Sequence, residues 1–212
     1  MSLLRSSLVI INLQKQTLHM KKIGFYLLVL VATIRCTTTA PIDFIRASCK
    51  TTLHPPLCVR CLSSYAGSIK GSDHHLAKAA VIVSLNEAKL AAAFVSKLAR
   101  VSRLKPIEYQ AVKDCISTMT NSVVSLSQSV QELERMGRRS VDQDFEWHMS
   151  NVETWVSSAL TYQNICSGGF GVNGHVKDVV TKRMVYASQV TSNALALVNR
   201  FAVSHRKGSH KP

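Results

Sequence analysis

Between Pro106 and Met136 the apolar side chains fall at Tyr109, Val112, Ile116, Met119, Val123, Leu126, Val130 and Leu133, in steps that alternate three and four. A strict alternation of this kind is a heptad seam, and it requires a facing helix to cover it. Gly137 follows as a natural terminator. Further on, Val180, Met184, Ala187, Thr191, Ala194, Val198 and Phe201 repeat the rhythm and predict a helix over 175–204. Between these two, Phe145, His148, Val152, Trp155, Ala159 and Tyr162 share one face of a helix over 141–166. Its start reads Ser140-Val141-Asp142-Gln143, a capping box in which side chains satisfy the first backbone N–H groups.

Upstream, 73–104 is dense in Ala, Leu, Val and Lys and holds neither Gly nor Pro. Its apolar positions fill more than one stripe, so this helix should be buried over a broad face. Lys105-Pro106 breaks it. The pair Pro55-Pro56 forces a turn and opens a shorter helix from Leu57 to Ser68. No segment alternates as a strand does. Four long helices joined by short loops predict an all-α fold, an up-down-up-down four-helix bundle.

The first forty residues stand apart. Met20-Lys21-Lys22 leads into an uncharged apolar run from Ile23 to Ile34, and Thr37 to Ala40 are small. A basic start, a run of this length and a small-residue exit describe a secretory signal peptide. A membrane span needs about 20 apolar residues, more than the run offers. The expected organisation is a signal peptide with an N-terminal extension over 1–40, a bundle domain over 41–204, and a basic disordered tail over 205–212. The protein would then be extracellular, without a membrane anchor once the signal is removed.

Secretion changes the meaning of charge and cysteine. Formal net charge is +14; five of the 26 cations precede Pro41 and no acid does, which leaves 21 cations against 12 acids in the remainder. In an extracellular matrix such a surface meets acidic polysaccharide, and the signal peptide argues against nucleic acid as a partner. Cys36 falls at the edge of the signal, so Cys49, Cys58, Cys61, Cys115 and Cys166 enter an oxidising compartment. Five thiols allow at most two internal bridges.

Catalytic chemistry finds little support. Cys58-Val59-Arg60-Cys61 has the spacing of a redox pair or half a zinc site, but no second pair accompanies it, and His54, His74 and His75 lack ligand spacing. No nucleophile elbow surrounds any serine. His148 lies on an apolar stripe and reads as a core residue. Neither metal nor cofactor is expected.

Several segments together resemble a known family. Phe44-Ile45-Arg46-Ala47-Ser48-Cys49, Thr51-Thr52, Pro56-Leu57-Cys58 and Leu62-Ser63 are similar to the N-terminal hairpin of the plant invertase/pectin methylesterase inhibitors. Ala111-Val112-Lys113-Asp114-Cys115, then Trp155 to Thr161 leading to Cys166 and Phe170, then Ser192 to Val198, follow in the family's order. The resemblance implies a helical hairpin ahead of the bundle and disulfides Cys49–Cys58 and Cys115–Cys166. Cys61 departs from the family's four-cysteine pattern and is expected to be a free thiol, with a crosslink between two chains as the alternative. It also implies a protein without enzymatic activity that binds stoichiometrically over the pectin-binding cleft of pectin methylesterase. The loop Gly171 to Lys177 lacks the Pro-Lys-Phe triplet that the invertase branch carries before its last helix. Acid invertase is therefore the alternative target, and weak electrostatic binding to pectin a further one.

A stoichiometric inhibitor needs a rigid surface, since each long side chain ordered on binding costs about 0.5–1.5 kcal/mol. The helix pair tied by Cys115 and Cys166 should be the most rigid part of the chain. Its polar residues off the seam, Asp114, Ser117, Thr118, Asn121, Ser125 and Gln128, are the expected partner contacts.

Overall fold

Two short helices precede the bundle and are stapled to each other. In this computed structural model, which describes residues 40–100, 104–136, 144–170 and 174–209, α1 covers 40–49 and α2 covers Pro55–Leu62, with both prolines in its first turn. The Cys49–Cys58 disulfide joins them at a Cα–Cα distance of 5.7 Å. The expected helix from Leu57 to Ser68 is broken. A 3-10 turn, Ser63–Tyr65, follows α2, and α3, Ala66–Ile69, ends on Lys70 in the left-handed region at φ 50°. Gly71, also left-handed at φ 73°, completes the reversal.

The bundle helices are α4 (Asp73–Leu98), α5 (Pro106–Met136), α6 (Phe145–Gly168) and α7 (His175–Ser209). Ser72 caps α4 by accepting the His75 N–H, and Pro106 opens α5 where its missing N–H costs nothing. Helix α4 stops at Leu98, short of the expected 104, and Ala99 and Arg100 form a turn. Lys105 already belongs to the next helix end, its N–H donating to Glu108 Oε2 at 2.9 Å. The signal-peptide segment with Cys36, Gly137 and the capping box Ser140 to Gln143 lie outside the described residues.

Each long helix packs on the next in sequence, and α7 returns to pack on α4, closing a square ring. This is the all-α bundle expected, with the hairpin added: α2 lies on α4 and α7, and α3 lies on α4. That extra cover explains the broad apolar face of α4. Leu76, Ala77, Ala79, Ala80, Val81 and Leu85 are all buried, whereas beyond Ala88 only Ala91 and Val95 are. Fully buried Met119, Leu126 and Leu133 of α5 meet Met149 of α6 and Met184 and Leu197 of α7 in the same core.

Polar contacts lock particular helices together. Asn193 of α7 grips the hairpin turn: its Nδ2 donates to His54 O and its Oδ1 accepts from His54 N, both at 3.0 Å. Replacing it by Ala removes two half-buried bonds and should cost about 2 kcal/mol. For a chain of this size that is a drop of roughly 4–8 °C in melting temperature, measurable by circular dichroism.

His74 of α4 lies within 2.8 Å of Leu133 O across to α5. Burial, and secondarily the positive charges of His75 and Lys78, hold its imidazole below the ordinary 6.5, outweighing the Leu133 bond. A folded pKa below the unfolded one means the unfolded chain takes up the proton first as pH falls. Stability should be full above pH 6.5 and decline as pH drops from there through the folded pKa. Melting curves at neutral and mildly acidic pH should show a smaller acid loss for His74→Gln than for the unaltered chain.

The basic tail is a correction. Helix α7 runs on to Ser209, so most of 205–212 is not disordered. The ring of His205 stacks on Phe145 with centroids 3.6 Å apart, and Arg206 donates twice to Glu146, at 2.9 and 2.7 Å. A basic last turn also suits the negative end of a helix dipole.

Candidate functional site

Helices α5 and α6 approach closely because small residues face each other. Cys115 and Cys166 are disulfide-bonded with Cα atoms 4.5 Å apart. Two turns along, Ser122 Oγ donates to Ala159 O at 3.1 Å, and Gln163 Nε2 donates to Ser122 Oγ at 3.0 Å. Toward the other end, His148 Nδ1 donates to Glu132 Oε1, and Arg135 donates to Glu132 Oε2 at 2.9 Å. Glu132 is only 1% exposed and His148 8%, so this pair is buried and mutually satisfied. His148 is the core residue the sequence suggested.

The seam is rotated relative to the expected one. Val112, Met119, Leu126 and Leu133 are buried as anticipated, but Ile116, Val123 and Val130 are half-exposed flanks and Tyr109 is exposed. The second buried row of α5 is instead Cys115, Ser122 and Ser129, joined by Ser125 and Glu132. Helix α6 shows the same shift: Met149, Val156 and Gln163 are buried while Trp155 and Tyr162 are half-buried.

The rotation decides which expected contact residues reach solvent. Asp114, Ser117, Asn121 and Gln128 are exposed along one line of α5. Thr118 is half-buried, its hydroxyl donating back to Cys115 O at 3.0 Å. Ser125 is a correction: it is buried, and its carbonyl accepts the Ser129 hydroxyl at 2.9 Å. Val124, 50% exposed, takes its place on the outer line, in steps of three and four from Asn121 and Gln128.

Sequence reasoning missed the matching line on α6. Trp147, Ser150, Thr154, Ser157, Thr161 and Asn164 are exposed in steps of three and four, and none carries a charge. Trp147 is 64% exposed, an unusual position for so large an apolar group. Its signal in the sequence was the placement of hydroxyl residues one step off the apolar stripe. Short hydroxyl side chains lose little entropy on contact, and tryptophan supplies apolar area at low cost. At the disulfide end, Asp114 joins Ile107, Glu108, Gln110, Ala111 and Phe170 in a cleft of about 300 Å³. The two lines carry one charged side chain, Asp114, and the cleft beside it adds Glu108 and Lys177.

Cys61 has no disulfide partner among the described residues and is half-buried. Burial pushes its thiol up, against the opposing influence of a hydrogen bond with Tyr186. Among the described residues, no group of three or more His, Cys, Asp or Glu side chains is placed to hold a metal ion.

Known proteins share this sequence and architecture. The family model described as plant invertase/pectin methylesterase inhibitor matches residues 43–197. The chain is 49% identical over 165 residues to pectinesterase inhibitor 9 of Arabidopsis thaliana, covering 76% of this chain and 81% of that protein. Against pectinesterase inhibitor 11 of the same plant it is 43% identical over 169 residues, covering 78% and 84%. Its fold matches the crystal structure of a mutant pectin methylesterase inhibitor from Arabidopsis with a TM-score of 0.56 at 16% identity, over 71% of this chain and 92% of that one.

Proposed function

This chain belongs to the plant invertase/pectin methylesterase inhibitor family, and we propose that it is a secreted, extracellular inhibitor of pectin methylesterase that binds through the outer faces of α5 and α6. It works by contact and performs no chemistry of its own. Similarity to proteins named pectinesterase inhibitors over most of both chains is the observation that carries the choice of target. The same observation favours pectin methylesterase over acid invertase.

The physical support for the face lies in its stiffness and its low charge. A disulfide at one end and the Glu132–His148 pair at the other hold α5 and α6 in one relative position, so little ordering remains to be done on binding. Apart from Asp114 the two lines carry no charge, which leaves few ions to strip of water when the enzyme covers them. Binding over the enzyme's pectin cleft would exclude the polymer from the catalytic centre without any reaction.

Purified secreted chain should inhibit a pectin methylesterase at a one-to-one ratio and leave acid invertases active. Trp147→Ala should raise the inhibition constant roughly 30-fold while leaving the melting temperature unchanged, the behaviour of an exposed tryptophan that anchors an interface. Inhibition that is indifferent to Trp147 and to charge changes at Asp114 would remove α5 and α6 from the interface. Failure to inhibit any of a panel of these enzymes would end the functional reading itself.

A further inference from the structure

Charge is segregated across this bundle. Residues 40–100 together with α7 carry 14 Lys and Arg against four Asp and Glu, while α5 and α6 carry two against six. The basic half lies on the wall built by α4 and α7, away from the lines assigned above to the enzyme. The hairpin covers only the N-terminal half of α4. Where its cover ends, a groove of about 560 Å³ opens between the later turns of α4 and the first turns of α7.

The lining of this groove has two chemistries. Leu90, 57% exposed, and Phe94 form an apolar strip on α4, and Tyr186 adds a ring from α7. Around them stand cations. Lys182 is exposed on the α7 side. Arg183 lies over the Tyr186 ring at 5.9 Å and donates to Glu87, the one acid in the lining, at 3.1 Å. Lys97 continues the line of Leu90 and Phe94 by one further helical turn and is exposed. Cations thus stand at both ends of an apolar strip.

A uronic-acid polymer matches both. The C–H face of a pyranose ring packs on aromatic and aliphatic side chains, and a carboxylate on each residue repeats negative charge along the chain. Hydrolysis of a pectin methyl ester by water releases methanol and leaves one carboxylate and one proton, so the action of the target enzyme creates this polyanion. We propose that the α4–α7 groove binds demethylated pectin, and that the inhibitor holds the product polymer on one wall while the other wall engages the enzyme. The proposal rests on the inhibitory reading given above. Its consequence is concentration of inhibitor where demethylation has already occurred, which is feedback carried by the matrix itself.

The test measures two quantities on the same purified secreted chain: equilibrium binding to polygalacturonate, and inhibition of pectin methylesterase. Binding should be present with polygalacturonate, fall on adding salt as exposed charges are screened, and be much weaker with fully methyl-esterified pectin. The double variant Lys97→Glu/Lys182→Glu should bind polygalacturonate roughly tenfold more weakly, as expected for two exposed ion pairs, with inhibition unchanged. Each single replacement should cost about threefold, and Lys113→Glu on α5 makes the same charge change on the opposite wall and should leave polymer binding nearly intact. Equal loss with Lys113→Glu, or equal binding to duplex DNA, would reduce the effect to net charge and overturn the groove. Equal binding to the esterified polymer would overturn it as well. A chain that binds polygalacturonate through these lysines yet inhibits no methylesterase would sink the functional reading and leave the groove standing. The reverse result would sink the groove alone.

Discussion

Replacing Cys115 and Cys166 together with Ala should lower stability by about 4 kcal/mol and abolish inhibition at temperatures where the unaltered chain is fully active. The bridge spans a sequence separation of 51, and closing a loop of that length removes about 4 kcal/mol of conformational freedom from the unfolded chain. Melting temperature should fall by roughly 10 °C. The effect on inhibition is separate and geometrical. The bridge fixes the disulfide end of the α5–α6 face, beside the cleft that holds Asp114 and Ile107. Below the new melting point the variant should keep its helical spectrum while its inhibition constant rises. If inhibition were fully retained at a temperature where the variant is folded, the rigid-face account would be wrong, and the bridge would serve stability alone.

His148→Ala should be nearly as costly, about 3 kcal/mol, although it removes only a small polar ring. Most of the loss comes from what it leaves behind: Glu132, 1% exposed, keeps Arg135 as its one charged partner among the described residues. A buried carboxylate that loses a hydrogen-bond donor bears its desolvation uncompensated. The double replacement Glu132→Leu/His148→Leu should regain most of the lost stability, because apolar side chains of similar size can substitute for a buried hydrogen-bonded pair. Urea unfolding of the unaltered chain, both singles and the double gives the coupling directly. A double variant as unstable as the sum of its singles would show that the two residues act independently.

The bundle was legible in the sequence because each long helix carries an apolar stripe, and α7 shows it most completely: Val180, Met184, Ala187, Thr191, Ala194, Val198 and Phe201 are all buried. The exact facing of α5 and α6 was not. A seam read from hydrophobicity selects Ile116, Val123 and Val130, yet the contacts with α6 are made by Cys115, Ser122 and Glu132, with Ser129 buried in the same row. Small and paired polar residues take the place where helices come closest, and their burial depends on a partner helix that local periodicity does not show. The error travels outward, since a rotated inner row also rotates the outer one. Ser125 was placed on the surface for this reason, and Val124 and the hydroxyl line of α6 were overlooked. The end of α7 hides its order for a different reason. A basic segment looks solvated until Phe145 and Glu146 of another helix are found beside it.

The return of α7 onto α4 has a kinetic side. Contacts of α5 with α4 and of α6 with α5 join neighbours in sequence, so short chain closures suffice to form them. The polar contacts between α4 and α7 join residues far apart: Ser84 with Thr191 is a separation of 107, Glu87 with Arg183 is 96, and Asp73 with Arg200 is 127. Closing such lengths is entropically the most demanding event in the chain and should come after the local pairs have assembled. Substitutions in this seam would then leave the folding rate almost unchanged and accelerate unfolding, the signature of contacts made after the transition state. The wall that closes last in folding would also be the first to open, and the lifetime of the folded inhibitor would be set there.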